Sequence, residues 1–304
     1  MNGAHNAPNL PCEIWLEIFK LACLDRRSGS ALSLVCRLFC NLAKETRFHS
    51  VFVYGLSQLN ALYSVFHKIS PAHRRVYHFY FDMETHPDDS ESSKKELAAY
   101  RSNRAVFDFY QDHLYERLIR MMSPTLETFH VYHSGFCACD MLPPVPLPFL
   151  VELTFRGPFP VHASENEQLL PVFPRLRYLR YEDFDDYPPD LFSRLARQAP
   201  SLTHLYLKPA RPSRRLYAEL EISLSRAKDE YLHPCMHMDF PLSVRRVDIE
   251  VGPEVFSVTK GMMNLHGMTL ERLSSVTCGD TKVVVTINRS IAQTVAKRSA
   301  NQHE

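Results

Sequence analysis

Residues 176–207 read LRYLRYEDFDDYPPDLFSRLARQAPSLTHLYL. Two short runs of the same form, Leu176-Leu179-Tyr181 and Leu202-Leu205-Leu207, begin 26 residues apart. Within each run the last two apolar residues alternate with polar ones, which is the period of a strand with one buried face. Between the runs, Pro189 to Ala199 has the spacing of a helix, with Leu191 and Leu195 turned inward and Pro200 as a stop. The segment therefore predicts strand, helix, strand.

Working outward, the same form recurs as Leu126-Phe129-Val131 and Leu150-Leu153-Phe155. The four starts, 126, 150, 176 and 202, are spaced by 24, 26 and 26 residues. Weaker copies are Val76-Phe79-Phe81 and Val244-Val247-Ile249. The form is similar to the L-x-x-L-x-L core of leucine-rich repeats, whose period runs from about 20 to 29 residues. The asparagine that usually follows the strand is mostly missing. The expected fold class is α/β: an irregular leucine-rich-repeat solenoid with parallel strands, with helices or irregular returns between them. The longer gaps predict helices near 213–231 and from about 95 to 122. An apolar segment at 254–268 precedes a final strand over 282–287, and 289–304 reads as a polar, fraying tail.

Side chains alternate along a strand, so residues two and four past each leading apolar position share the open face. These are Thr128 and His130, Glu152 and Thr154, Tyr178 and Arg180, His204 and Tyr206. Tyrosine and arginine are favoured at binding interfaces. Tyr178, Arg180, His204 and Tyr206 are thus the candidate contacts for a protein substrate; the competing reading is a solvated sheet face.

Dedicated chemistry is scarce. With 9 glycines, the chain has no G-x-G-x-x-G, P-loop, G-x-S-x-G or H-E-x-x-H. It reads as a non-enzyme without a cofactor. His130, His133, Cys137 and Cys139 offer four donors within ten residues. Their spacing is not that of a zinc finger, however, and reduced thiols in a surface loop are the preferred reading, so no metal is expected. Cys235-x-His237 is weaker still. The acidic run 182–186 reads as a solvated loop, and the proline-rich run 142–148 as a stiff polyproline II connector rather than an SH3 ligand.

A net charge of +1 provides no global field toward nucleic acid or membrane, and a hydrophobic content of 45% suits a globular protein. No run approaches the roughly 18 apolar residues needed to span a bilayer, and the first residues lack the pattern of a secretory signal. The eight cysteines are scattered and read as reduced thiols, which places the expected location in the cytosol or nucleus.

The other distinct stretch is LPCEIWLEIFKLACLDRRSGSALSLVCRLFCNLAKETRFHSV, residues 10–51. Pro11 suits a helix start and Glu13 its positive end. Ile14, Ile18, Leu21 and Ala22 then recur at helical steps, widened by Trp15 and Phe19. After the polar run 25–30, a second helix carries Leu32, Val35 and Phe39. So small a unit cannot bury a sufficient core alone, so these helices pack either on the rest of the chain or on a partner.

Leu10, Pro11, Glu13, Ile14, Ile18 and Phe19, followed by Val35, Cys36, Arg37 and Phe39, resemble in order and spacing the F-box family, in particular fungal F-box-like proteins. The loop between the halves is longer than the commonest pattern, and Phe39 and Phe48 stand where tryptophans are usual. The resemblance implies an adaptor that docks the Skp-family linker, and through it a cullin, by Leu10, Pro11, Ile14, Ile18, Val35, Cys36, Arg37 and Phe39. It would present an unknown protein substrate to an SCF-type ubiquitin ligase; a repeat scaffold working outside a ligase is the alternative. The expected organisation is a flexible 1–9, an F-box helical module at 10–54, a bridging helix at 55–70, a repeat-like substrate domain at 71–288 and the tail 289–304.

Overall fold

Each leading apolar residue of the repeated form sits just ahead of a strand, not within it. Val76, Leu126, Leu150, Leu176, Leu202 and Val244 are all 2 % exposed or less. The amides of Leu150, Leu176, Leu202 and Val244 each donate to the carbonyl three residues back, at 3.1–3.2 Å. Such a turn lets an apolar side chain plug the base of the strand while its backbone polar groups stay satisfied.

The computed structural model describes residues 10–23, 28–44, 46–82, 114–132, 145–157, 172–184, 187, 191–211, 213–226, 240–251, 265–276 and 283–289. They fall in two compact units, residues 1–129 and 130–304.

The first unit opens with helices α1 (Cys12–Ala22), α2 (Ser28–Val35) and α3 (Arg37–Ala43). Strand β1 (Ser50–Tyr54) follows, then α4 (Gly55–Lys68), a 3-10 turn at Pro71–His73, β2 (His78–Asp82) and α5 (Glu116–Met122). Strand β1 pairs parallel to β2, with Val51 opposite Phe79 and Val53 opposite Phe81. Residues 50–54 were expected inside the helical module; they form a strand because Val51 and Val53 alternate onto the buried face. Gly55, at φ 66°, lets the chain pass from β1 straight into α4. Helix α4 covers residues 55–68 of the 55–70 expected to be helical, with Leu59 and Phe66 buried and Phe66 edge-on to Phe48 at 5.1 Å.

Strand β3 (Thr128–Tyr132) carries the boundary between the units. The second unit continues with β4 (Glu152–Arg156), β5 (Tyr178–Phe184), α6 (Leu191–Gln198), β6 (His204–Pro209), α7 (Arg214–Arg226), β7 (Arg246–Val251), α8 (Leu265–Val276) and β8 (Val284–Arg289). The strands are ordered as in the chain, β1 to β8, and the fold is α/β. From β4 to β8 every pairing is parallel, and the strand starts are in step, so Leu153, Leu179, Leu205, Val247 and Val285 form one buried row.

A second device repeats where each strand starts. One carbonyl of the preceding strand segment accepts from two successive amides: Val151 from Arg177 and Tyr178, Arg177 from Thr203 and His204, Thr203 from Arg245 and Arg246, at 2.8–3.1 Å. In the first unit His49 serves Tyr77 and His78 in the same way, and Tyr77 serves Glu127 and Thr128. These shared acceptors set the register before the ladder begins.

Three expectations are corrected. Glu182–Phe184 is not a solvated loop but the end of β5. Asp183 adopts φ 54° at a register shift, which turns Phe184 into the core at 1 % exposure. Thr154 and His130, placed on the open face by alternation, are 3 % and 9 % exposed, so both are covered rather than open. The last strand runs to Arg289, two residues beyond the expected end and into the segment read as tail. The helix expected at 213–231 is described as Arg214–Arg226, and that expected at 95–122 as Glu116–Met122; residues 95–113 and 227–231 lie outside the described ones. Residues 1–9 and 290–304 also lie outside. No helix among the described residues is long and apolar enough to cross a membrane.

Candidate functional site

The parallel register stacks side chains of the open face into rows across the strands of the second unit. The first row is Glu152, Tyr178, His204 and Arg246; the second is Arg180, Tyr206 and Asp248, with the buried Thr154 at its β4 end. Adjacent strands lie about 4.8 Å apart, which is close enough for flat side chains in one row to meet face to face. Tyr178 and His204 do so, with ring centroids 4.8 Å apart and planes 27° from parallel. In the next row, the Arg180 guanidinium carbon lies 4.0 Å from the centroid of the Tyr206 ring.

The four expected substrate contacts, Tyr178, Arg180, His204 and Tyr206, therefore come together, lining a groove of about 340 Å³. Glu152, placed on the open face by alternation, lines it too, and two further polar lining residues, Arg246 and Asp248, were not singled out in the sequence. The alternation rule already points to them. Arg246 and Asp248 lie two and four residues past Val244, the weaker copy of the repeated form.

Most of the charge in the groove and on the strands beside it is organised in pairs. Arg180 is bonded to Glu182. Arg246 meets Asp248 at 2.8 Å, and Lys208 meets Glu250 at 3.0 Å. The Tyr206 hydroxyl donates to Glu250. Burial, and then this bond to a carboxylate, push the Tyr206 phenol up to about 12. Reciprocally, the Tyr206 hydrogen bond, followed by Lys208, holds Glu250 below the usual carboxylate range despite its partial burial. Burial works against the Arg180 charge, but Glu182 and Tyr206 outweigh it, and the guanidinium is held above its ordinary value. His204 Nδ1 is within 2.9 Å of the Thr203 hydroxyl, which orients the ring that Tyr178 stacks on.

The helical module of the first unit forms a second surface. Ile14, Ile18 and Leu21 share a face of α1 by their spacing, and all three are exposed, as are Leu10, Leu34, Val35 and Leu38. These seven make up half of the fourteen exposed large apolar side chains among the described residues, all within residues 10–38. Exposed large apolar side chains are thus concentrated in the helical module.

Of the expected linker contacts, Leu10, Pro11, Ile14, Ile18, Val35, Cys36 and Arg37 are exposed. Pro11 sits ahead of α1 and its carbonyl receives the amides of Ile14 and Trp15. Cys36 caps α3, its sulfur accepting the Phe39 amide at 3.5 Å. Phe39 is half-buried and faces inward, 4.8 Å from the Trp15 ring and 5.0 Å from Phe19. It forms part of the aromatic cluster that holds α1 to α3.

Among the described residues no group of histidine, cysteine and acidic side chains could hold a metal. Of the 130–139 donors, His130 is buried on β3, and His133, Cys137 and Cys139 lie outside the described residues. No family model matches this chain, and no curated protein or solved structure does.

Proposed function

We propose that this chain is the substrate-recognition adaptor of an SCF-type cullin–RING ubiquitin ligase, acting in the cytosol or nucleus. The observation that carries this reading is the apolar face of the first helices. Leu10, Ile14, Ile18, Val35 and Leu38 stay exposed on a module whose interior is already filled by Trp15, Phe19 and Phe39. Of these, Leu10, Ile14, Ile18 and Val35 are among the residues that the F-box resemblance assigns to the Skp-family linker, while Leu38 is an exposed neighbour outside that set. An interface of this kind buries roughly 1,200–2,000 Å² in total.

In this reading the parallel strands belong to an irregular leucine-rich-repeat domain, and its groove at Tyr178, Arg180, His204 and Tyr206 holds the protein substrate. The adaptor forms and breaks no bond. It raises the effective concentration of a substrate lysine near the charged conjugating enzyme, and rate follows from that proximity.

The test is co-expression with a Skp-family linker, then size-exclusion chromatography. A stoichiometric complex, lost when Leu10 and Pro11 are both changed to alanine, is expected. A folded chain that elutes alone would remove the ligase reading. Linker capture without cullin would favour the alternative, a repeat scaffold acting outside a ligase.

A further inference from the structure

The groove of the second unit has an imbalance that its ion pairs do not remove. Its lining cations are Arg180 and Arg246, and each already has a carboxylate, Glu182 and Asp248. Glu152 lines the same groove as the carboxylate left over. The second oxygen of Asp248 is buried and accepts no hydrogen bond among the described residues. Unmatched acceptors in a partly desolvated site call for a donor with positive charge. An acidic ligand would have to take Arg180 or Arg246 from an existing partner and would leave that carboxylate uncompensated.

The ring of Tyr178 adds shape to this charge. It is 47% exposed, and one neighbour in its row, His204, stacks on it. Its neighbour on the opposite strand is Glu152. A ring with exposed surface thus stands beside a carboxylate that has no ion pair among the described residues. One row along, the chain itself fills the same combination: Arg180 lies over the ring of Tyr206 and is bonded to Glu182.

We propose that this groove receives an arginine side chain from an extended segment of a partner protein, its guanidinium stacked on Tyr178 and hydrogen-bonded to Glu152. The proposal rests on reading the open sheet face as the substrate-docking surface and gives that substrate a chemical class. Arginine suits the site better than lysine because a planar guanidinium stacks on a ring while its edge forks to a carboxylate, whereas an ammonium offers only a point charge.

The experiment uses the full chain and a short glycine-serine peptide bearing one arginine and a neutral dye, followed by fluorescence anisotropy. Matched peptides carry lysine or glutamate in its place. The arginine peptide is expected to bind the tightest of the three. Glu152→Gln and Tyr178→Ala should each weaken it about tenfold. Glu116→Gln, on α5, should leave it unchanged. Equal binding of the lysine peptide, tighter binding of the glutamate peptide, or indifference to Glu152→Gln in a variant with native circular dichroism would overturn the assignment. Linker co-elution is scored on the same preparations. Peptide binding by a chain that ignores the linker supports the groove and counts against the ligase role alone. A chain that captures the linker but binds no peptide overturns the groove alone.

Discussion

Arg180 lies over the ring of Tyr206 across the β5–β6 pairing, with its guanidinium carbon 4.0 Å from the ring centroid. The same tyrosine donates its hydroxyl to Glu250 on β7. One side chain thus couples three strands, through its face in one direction and its hydroxyl in the other. In a double-mutant cycle of Arg180→Ala and Tyr206→Leu, the coupling by urea unfolding should be about 0.5–1 kcal/mol, the range for a half-exposed cation on a ring. A coupling near zero would mean that the contact is geometric only.

Titration of the phenols gives the sign of the alkaline limit. Burial raises Tyr181 above its ordinary value, and Tyr206 and Tyr217 are each pushed up to about 12, with burial the first cause. A group whose folded value lies above its unfolded one contributes stability that is intact below the unfolded value, about 10 for tyrosine. Stability should therefore hold up to about pH 10 and fall as pH rises toward 12. Tyr206→Phe should flatten part of that fall and let Glu250 titrate closer to the ordinary carboxylate range. Thermal melts from pH 8 to 12 check the first outcome, and NMR titration of Glu250 the second.

Gly29 in α2 lies against the backbone of Arg47. A methyl group there would stand 2.9 Å from the Arg47 carbonyl oxygen, which belongs to the main chain and cannot swing aside. In an open helix Gly→Ala gains about 1 kcal/mol. Here the crowding should reverse that sign, for a net loss of about 1–2 kcal/mol and a lower melting temperature. A stabilised Gly29→Ala variant would show that α2 shifts freely against the residues that follow α3.

Within the helical module, exposed and buried apolar residues should separate two phenotypes. Ile14→Ser and Val35→Ser remove side chains that are already in solvent, so stability should change by less than about 0.5 kcal/mol while linker capture is lost. Phe19 is fully buried against Trp15 and Phe39, and Phe19→Ala should cost about 3–5 kcal/mol and unfold the module. Linker capture by the serine variants at wild-type level would place the docking surface elsewhere.

Much of the second unit was legible because its apolar positions repeat. The leading leucines at 150, 176 and 202 are buried, and the alternation behind them places Tyr178, Arg180, His204 and Tyr206 on one groove. What escaped has physical causes. Glu182 and Asp183 look like a loop, yet a single left-handed residue carries the strand past them to bury Phe184. Ser50–Tyr54 forms its ladder with residues 78–82, and such a distant partner leaves no trace in local periodicity. Thr154 and His130 satisfy the alternation rule and are still buried, because the pattern assigns a face but says nothing of what covers it. Arg246 and Asp248 were within reach of the rule and were passed over because Val244-Val247-Ile249 is a weaker copy.

The shared acceptors where the strands start have a consequence for how such a chain can change. The leading positions of β5 and β6 are 26 residues apart and those of β6 and β7 are 42 apart. Both strands nonetheless start from the same turn and the same pair of amides on one carbonyl. Register is thus settled within a few residues of each strand and is indifferent to the length of chain that precedes it. Insertions between strands can accumulate without a frameshift in the ladder, while the ligand-facing rows change one side chain at a time. In such an architecture, growth in size and change of specificity are separate evolutionary variables.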